Sequence, residues 1–310
     1  MKRAARRHRD LLCHRQNLLC GKCTAMQKEV MKDMNGIQIS IIMGVYNQKA
    51  FDQLDMAVNS ILRQTFQAFE FLVYDDGSDG NVADKLEELA LKDSRIRLFH
   101  GKENHGLAFG LNYCIRKAKG KYIARMDADD ISMPDRLEKQ YQFLEKHPEF
   151  GFAGCNAGLL GEQGVYGERI MPETPGADDF LAFSPYIHPS VMFRREVFEK
   201  YGLYSEAEEN RRCEDYELFM RLFQKNCRGF NIQEVLFLYR EDGNAFRKRK
   251  YRYRIDECRL RYTYFKKLGI LDGKGFLYTI RPLIAGVLPG RLIYRIKKGK
   301  EKHGVSFSTR

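Results

Sequence analysis

The 310-residue chain lacks several features that would assign a class at once. No apolar run is long enough to cross a bilayer. The most apolar late stretch, 282–290, is nine residues between Arg281 and Arg291, whereas a helical span needs about 20. No secretory leader is expected: residues 1–10 are basic, but the apolar stretch after them is broken by His14, Arg15 and Gln16. The eight cysteines, Cys13, Cys20, Cys23, Cys114, Cys155, Cys213, Cys227 and Cys258, are scattered rather than framed. Reduced, cytosolic thiols are therefore expected. Cys20-x-x-Cys23, with His14 nearby, is half of a zinc pattern, and no second pair completes it. A GxxxxGK[ST] phosphate loop and a GxGxxG fingerprint are both absent, which removes the usual support for P-loop and dinucleotide-binding readings. No Ser/His/Asp spacing supports a hydrolase triad.

What is present is an ordinary globular composition, 44% hydrophobic and 30% charged, which excludes a disordered or collagenous chain. A core of this size needs no disulfide or metal staple. The formal net charge of +12 is unevenly placed. Residues 1–36 hold 9 basic and 3 acidic residues, and residues 246–310 hold 19 and 4. The middle, 37–245, holds 25 and 34, so an acidic body sits between two basic ends. Such asymmetry points to a polyanionic surface, membrane or nucleic acid.

Residues 1–36 lack apolar periodicity and are expected to be a basic tail, disordered or the product of a mis-assigned start. From Ile37 the chain alternates. Ile39-Ser40-Ile41-Ile42-Met43 is a β-branched run of the kind a buried parallel strand needs. Leu54, Ala57, Val58, Ile61 and Leu62 form one helix face. Strands over 69–74, 95–99 and 121–126 and helices around Val82-Leu86-Leu89, over 106–118 and through Leu137-Tyr141-Leu144 continue the rhythm. Gly120 is expected to stop the third helix, and Ser132 to cap the fourth with Pro134 in its first turn. This βαβ alternation implies a mainly parallel sheet flanked by helices, with ligands at the carboxyl ends of its strands. Further strands are expected at 150–160, 191–193 and 232–239. Helices are expected over 214–224 and in a basic, Tyr-rich stretch from about 246 to 268.

The predicted strand ends are polar and acidic: Tyr46-Asn47, Asp75-Asp76 and Asp127-Ala128-Asp129-Asp130. Two carboxylates spaced i, i+2 after a strand can reach one hard divalent cation such as Mg²⁺ or Mn²⁺. Taken alone, an Asp-x-Asp is more often a solvated helix-capping turn. Asp75-Asp76-Gly77-Ser78 suits a βα loop, or a carboxylate that accepts from a nucleoside. Glu214-Asp215 opens a helix, where the macrodipole favours acids, or where a general base could take a proton from a hydroxyl. A lone histidine such as His188 is more often structural than catalytic.

Taken together and in order, these segments resemble the family 2 glycosyltransferases of GT-A fold, in their bacterial cell-surface polysaccharide type. The resemblance rests on residues 39–47, Val73-Tyr74-Asp75-Asp76-Gly77-Ser78-Asp79, and Glu103-Asn104-His105-Gly106-Leu107-Ala108 with Asn112. It continues through Arg125-Met126-Asp127-Ala128-Asp129-Asp130, His188-Pro189-Ser190, Glu214-Asp215-Tyr216-Glu217-Leu218 with Arg221, and Tyr239-Arg240. It covers about 37–245. The resemblance implies a Rossmann-like α/β domain with a nucleotide-binding half, 37–135, and an acceptor half, 136–245; the basic amphipathic helical extension expected over 246–310 lies outside it. It implies inverting transfer of a sugar, with a UDP-sugar favoured, to a hydroxyl of a glycan or polyprenyl-linked acceptor. Val45, Tyr46, Asn47, Asp75, Asp76, Asn104, Gly106, Asn112, Arg125 and Asp127 would line the donor site. Asp127 and Asp129 would hold Mn²⁺ or Mg²⁺. Asp215 would be the general base, with His188, Glu214 and Arg240 on the acceptor side. The chain departs from the family in having Gly44 where Pro is frequent and Asp242 where a His often follows the Tyr-Arg pair.

The basic end interleaves Tyr and Phe with Arg and Lys, as an anionic bilayer surface would favour. A peripheral place on the cytoplasmic face of the cell membrane is therefore expected, against a helical hairpin merely packed on the domain. Nucleic-acid binding is disfavoured by the acidic body. An inactive homologue is disfavoured by retention of Asp129 and Asp215, and a nucleotidyltransferase by the Glu214-Asp215 pair.

Overall fold

The computed structural model describes residues 36–241 and 250–287. The Cys20/Cys23 pair, the basic tail before Gly36, Asp242 and the chain beyond Val287 lie outside the described residues. Nine strands are described: β1 (Ile39–Val45), β2 (Phe69–Asp75), β3 (Ile96–His100), β4 (Tyr122–Arg125), β5 (Ile131–Ser132), β6 (Phe150–Gly161), β7 (Gly164–Arg169), β8 (Met192–Arg194) and β9 (Arg228–Arg240). They form one sheet in the order β3-β2-β1-β4-β8-β6-β9-β5, with β7 paired to β6. The first four run parallel. β8 is antiparallel to both β4 and β6, and β6 and β9 are parallel again. The sheet is thus continuous across the boundary between residues 37–135 and 136–245.

The helices are α1 (Phe51–Leu62), α2 (Gly80–Lys92), α3 (Leu107–Lys117), α4 (Arg136–Lys146), α5 (Arg195–Tyr201), α6 (Glu214–Gln224), α7 (Tyr251–Leu268) and α8 (Gly273–Val287). The two-residue period of β1 divides the core. Ile39, Ile41 and Met43 pack with Leu54, Ala57 and Val58 of α1, Leu86 of α2 and Leu137 of α4. Ile42 faces the opposite core, with Leu111 of α3 and Leu218, Phe219 and Leu222 of α6. Burial on both faces explains why β1 and β2 read as near-continuous apolar runs. Leu260, Tyr264 and Phe265 of α7 belong to that second core, so the start of the basic extension is built into the domain. Among the described residues no helix is long and apolar enough to cross a membrane.

Two local expectations are corrected. Gly120 is not a helix cap: α3 ends at Lys117, followed by extended Ala118. Gly120 is needed because a Cβ there would sit 2.6 Å from the Ser40 amide nitrogen. Its own N–H donates to Ser40 Oγ at 2.8 Å. Ser132 lies in β5 rather than capping α4, and its hydroxyl accepts from Gln64 Nε2 at 3.1 Å. Pro134 accordingly precedes α4 instead of lying in its first turn.

Candidate active site

The loops after β1 and β2 are latched together. Asn47 adopts φ +48, a left-handed conformation that Asn tolerates better than most residues. Its N–H donates to Ser78 Oγ at 2.9 Å, and its Oδ1 accepts from the Asp79 N–H at 2.9 Å. Val45 is buried, and its carbonyl accepts from the Asp76 N–H at 2.8 Å, while Tyr46 is half exposed at the rim. Asp75 accepts from the Ser78 N–H and bonds His100 Nδ1, both at 2.9 Å.

Asp76 holds the loop before α3. It accepts from the N–H groups of His105 (2.9 Å) and Gly106 (2.7 Å) and from Asn104 Nδ2 (2.9 Å). Burial pushes its carboxyl up, against these stabilising bonds. A carboxylate offers about four acceptor positions, so roughly one remains for a ligand. Gly106, at φ +96, is the glycine that this turn requires. Asn112 is 1% exposed, and its amide is fully engaged elsewhere: Nδ2 donates to the Tyr204 carbonyl and Glu206 Oε1, and Oδ1 accepts from the Tyr204 N–H. It therefore anchors the 204–206 segment, with one acceptor position of Oδ1 remaining.

After β4 the chain makes an acidic turn around a buried cation. Arg125 is completely buried and donates to Asp127 Oδ1 at 2.6 Å and to the Met126 carbonyl. Arg136, also fully buried, donates to the carbonyls of Arg125 and Pro189. Asp127, Asp129 and Asp130 bring one carboxylate oxygen each within 4.8 Å of one another. Burial, then the Asp127 charge, pushes Asp129 up to about 6. The same causes, with Asp129 added, push Asp130 well above the carboxylate range. Asp130 Oδ1 accepts from the Arg240 N–H at 2.7 Å, but its buried Oδ2 has no hydrogen bond. Arg240 Nε donates to the Asp129 carbonyl at 2.8 Å, so Arg240 braces this turn. Three crowded oxygen donors, one of them orphaned, fit a hard divalent cation. Asp130 was absent from the sequence-derived ligand pair, although it adjoins it.

His188, within reach of the Arg125 charge, is buried and held neutral, its pKa lowered by burial and then by that charge. Its Nε2 bonds Tyr204 Oη at 2.8 Å. Tyr204, which carried no sequence signal, feels Arg125 together with Asp215, Glu214 and Asp127. Tyr204 thus lies within electrostatic range of both the acidic turn and the Glu214-Asp215 pair. Asp215 sits in the first turn of α6. Burial, then Glu214, pushes it up to about 6 despite the favourable helix dipole. Buried Glu214 Oε2 has no hydrogen bond among the described residues.

A 3-2-1-4 parallel half, continued by mixed strands and ending in an acidic turn, defines a GT-A transferase architecture. The glycosyl transferase family 2 model matches residues 40–202. The chain belongs to that family and is a glycosyltransferase. It is 37% identical over 265 residues to EpsE of Bacillus subtilis (strain 168), named as a glycosyltransferase, covering 85% of this chain and 94% of that one. It is 32% identical to the O-antigen biosynthesis glycosyltransferase WbnJ of Escherichia coli, covering 68% and 82%. Among solved structures, S. aureus TarS 1-349 in complex with UDP-GlcNAc superposes with a TM-score of 0.62 at 16% identity, covering 79% of this chain and 74% of that one. The mannosyltransferase PcManGT of Pyrobaculum calidifontis, in complex with GDP-Man and Mn²⁺, gives 0.54 at 18%, covering 84% and 79%.

Proposed function

We propose that the chain catalyses inverting, divalent-metal-dependent transfer of a sugar, a UDP-sugar being favoured, to a hydroxyl of a glycan or polyprenyl-linked acceptor in cell-surface polysaccharide assembly. The observation that carries this reading is the arrangement about Arg125. Arg125 bonds the oxygen-only carboxylate cluster through Asp127 and lies within electrostatic reach of an elevated carboxylate, Asp215.

Val45, Tyr46 and Asn47, with Asp75, Asp76, Asn104 and Gly106, frame the nucleoside end of the donor site. Asp127, Asp129 and Asp130 would hold Mn²⁺ or Mg²⁺. When bound, the ion supplies positive charge that stabilises the departing diphosphate. Asp215 takes the proton of the acceptor hydroxyl as its oxygen attacks the anomeric carbon, and the nucleoside diphosphate leaves from the opposite face. A carboxylate near 6 remains ionised at neutral pH yet is basic enough to accept that proton. His188, neutral and fixed by Tyr204, and Glu214 border the acceptor.

The names of WbnJ, of the amylovoran biosynthesis glycosyltransferase AmsE of Erwinia amylovora, and of the UDP-GlcNAc complex of TarS support a polysaccharide context and a nucleotide-sugar donor. A peripheral position on a membrane surface, expected to be the cytoplasmic face, draws its support for membrane contact from α8. It exposes Phe276, Leu277 and Ile284 beside exposed Lys274 and Arg281.

The test is release of nucleoside diphosphate across UDP-, GDP- and dTDP-sugars with and without Mn²⁺. Turnover that depends on the ion and is lost in both Asp129→Ala and Asp215→Asn supports the reading. Full turnover in both variants refutes it.

A further inference from the structure

Helix α7 lies beyond the 40–202 family match, yet it grips the helix that carries Asp215. Tyr264 Oη donates to Glu217 Oε1 at 2.6 Å in a buried contact. Glu217 also receives Arg221 Nε at 2.9 Å and Nη2 at 3.1 Å. Arg221 in turn donates to the carbonyls of Tyr201 and Leu203, just before the Tyr204 that holds His188. Close by on α7, Arg261 is 5% exposed, is paired to Glu257 and donates to the Leu181 carbonyl at 2.7 Å. Its guanidinium lies 5.0 Å from the Tyr216 ring centroid. Tyr216 follows Asp215 directly, and its N–H favours the charged form of the Asp215 carboxylate.

Asp215 and Glu217 are two residues apart, about 200° around a helix. When one faces the chemistry, the other faces the element packed behind. Apolar packing of Leu260 and Phe265 in the core that also seats Leu218 and Phe219 holds α7 and α6 together, and it constrains their fine rotation less sharply than a directional bond does. A hydrogen bond to a buried carboxylate is directional and adds that constraint.

We propose that α7 is a positioning element of the active site, in which Tyr264 and Arg261 set the rotation of α6 and thereby aim Asp215 at the acceptor hydroxyl. The proposal rests on the reading of Asp215 as general base. The extension is then part of the catalytic apparatus.

The experiment uses the full chain. Tyr264→Phe removes one hydroxyl, and Tyr262→Phe, 50% exposed on the same helix, is the control. Amide hydrogen exchange in the first turn of α6 is expected to rise about tenfold in Tyr264→Phe and to stay unchanged in Tyr262→Phe, the scale of one lost hydrogen bond. This readout needs no substrate. With UDP-N-acetylglucosamine and Mn²⁺, UDP release is expected to fall about tenfold in kcat, with donor KM within about twofold and the acid limb of the pH profile displaced. Should Tyr264→Phe fail to fold, Glu217→Gln, which keeps an acceptor for Tyr264, is expected to give the same exchange pattern in milder form. Unchanged α6 exchange and an unmoved pH profile, with only a lowered Tm, overturn the proposal. Asp215→Asn separates the two claims. If it retains turnover, the general-base reading fails. If it is inactive while Tyr264→Phe is silent, only the positioning proposal fails.

Discussion

Two sets of acidic residues meet at the carboxyl edge of the sheet, and they are treated oppositely. After β2, the carboxylates of Asp75 and Asp76 are both buried, and both are engaged, Asp75 by the Ser78 N–H of its own loop and the His100 imidazole of β3, Asp76 by N–H groups of the loop before α3. After β4 and at the start of α6, Asp130 and Glu214 each keep a buried oxygen without a partner, and Asp129 and Asp215 rise to about 6. The first set organises loops. The second is held at an energetic cost that a bound cation or an acceptor proton would relieve. Acidity alone does not separate the two; hydrogen-bond satisfaction does.

The sharpest way to break this comparison is Asp215→Asn. Removal of a general base is expected to lower kcat about 10²–10⁴-fold, measured as nucleoside diphosphate release. The fold should gain stability at pH 7, on the order of 1–3 kcal/mol, because a charge that the folded state disfavours is gone. Loss of stability in a urea melt would move Asp215 into the loop-organising set.

Asp76→Ala should behave the opposite way. It strands the His105 and Gly106 N–H groups, and a loss of about 2–3 kcal/mol is expected in a urea melt. Asn112→Ala should lose about 1–3 kcal/mol for the same reason, with looser docking of the Tyr204 segment read by amide exchange.

pH tests the second set directly. Asp215 is raised from 3.8 to about 6, so the folded chain keeps a proton there that the unfolded chain has already released. Its contribution to stability is therefore greatest below about 4, and it declines as pH rises to about 6. Activity runs the other way: kcat should fall about tenfold per unit below about 6, because the base is then protonated. An acid limb that survives in Asp215→Asn would assign it to another group. The smallest effect is expected on α8. Leu277→Ser, 64% exposed, should change stability by no more than about 0.5 kcal/mol while weakening co-sedimentation with anionic vesicles.

Much of the fold was legible in advance. The βα rhythm, the span of α6 and the acidic strand ends follow from periods of 2 and 3.6 and from turn chemistry, which are local. The Asp127-Ala128-Asp129 pair was visible for the same reason. Asp130 was not assigned a role, because its importance lies in a missing hydrogen bond and in the Arg240 amide 110 residues away. Tyr204 is one aromatic among many until it meets His188 across 16 residues. Ser132 and Gly120 were misread because a hydroxyl before a helix and a glycine after one have strong local meanings. Here Gln64 and Ser40, distant in sequence, override both. The Tyr-rich basic segment was read as membrane-facing, and its periodicity could not tell that Leu260, Tyr264 and Phe265 already have a partner surface.

The sequence by itself determined the parallel α/β order, the family and the residue types gathered at the strand ends, since patterning and motif order are properties of the chain alone. Only the tertiary structure decided which carboxylates are satisfied and which are left wanting a cation or a proton. That depends on burial and on donors supplied from far along the chain.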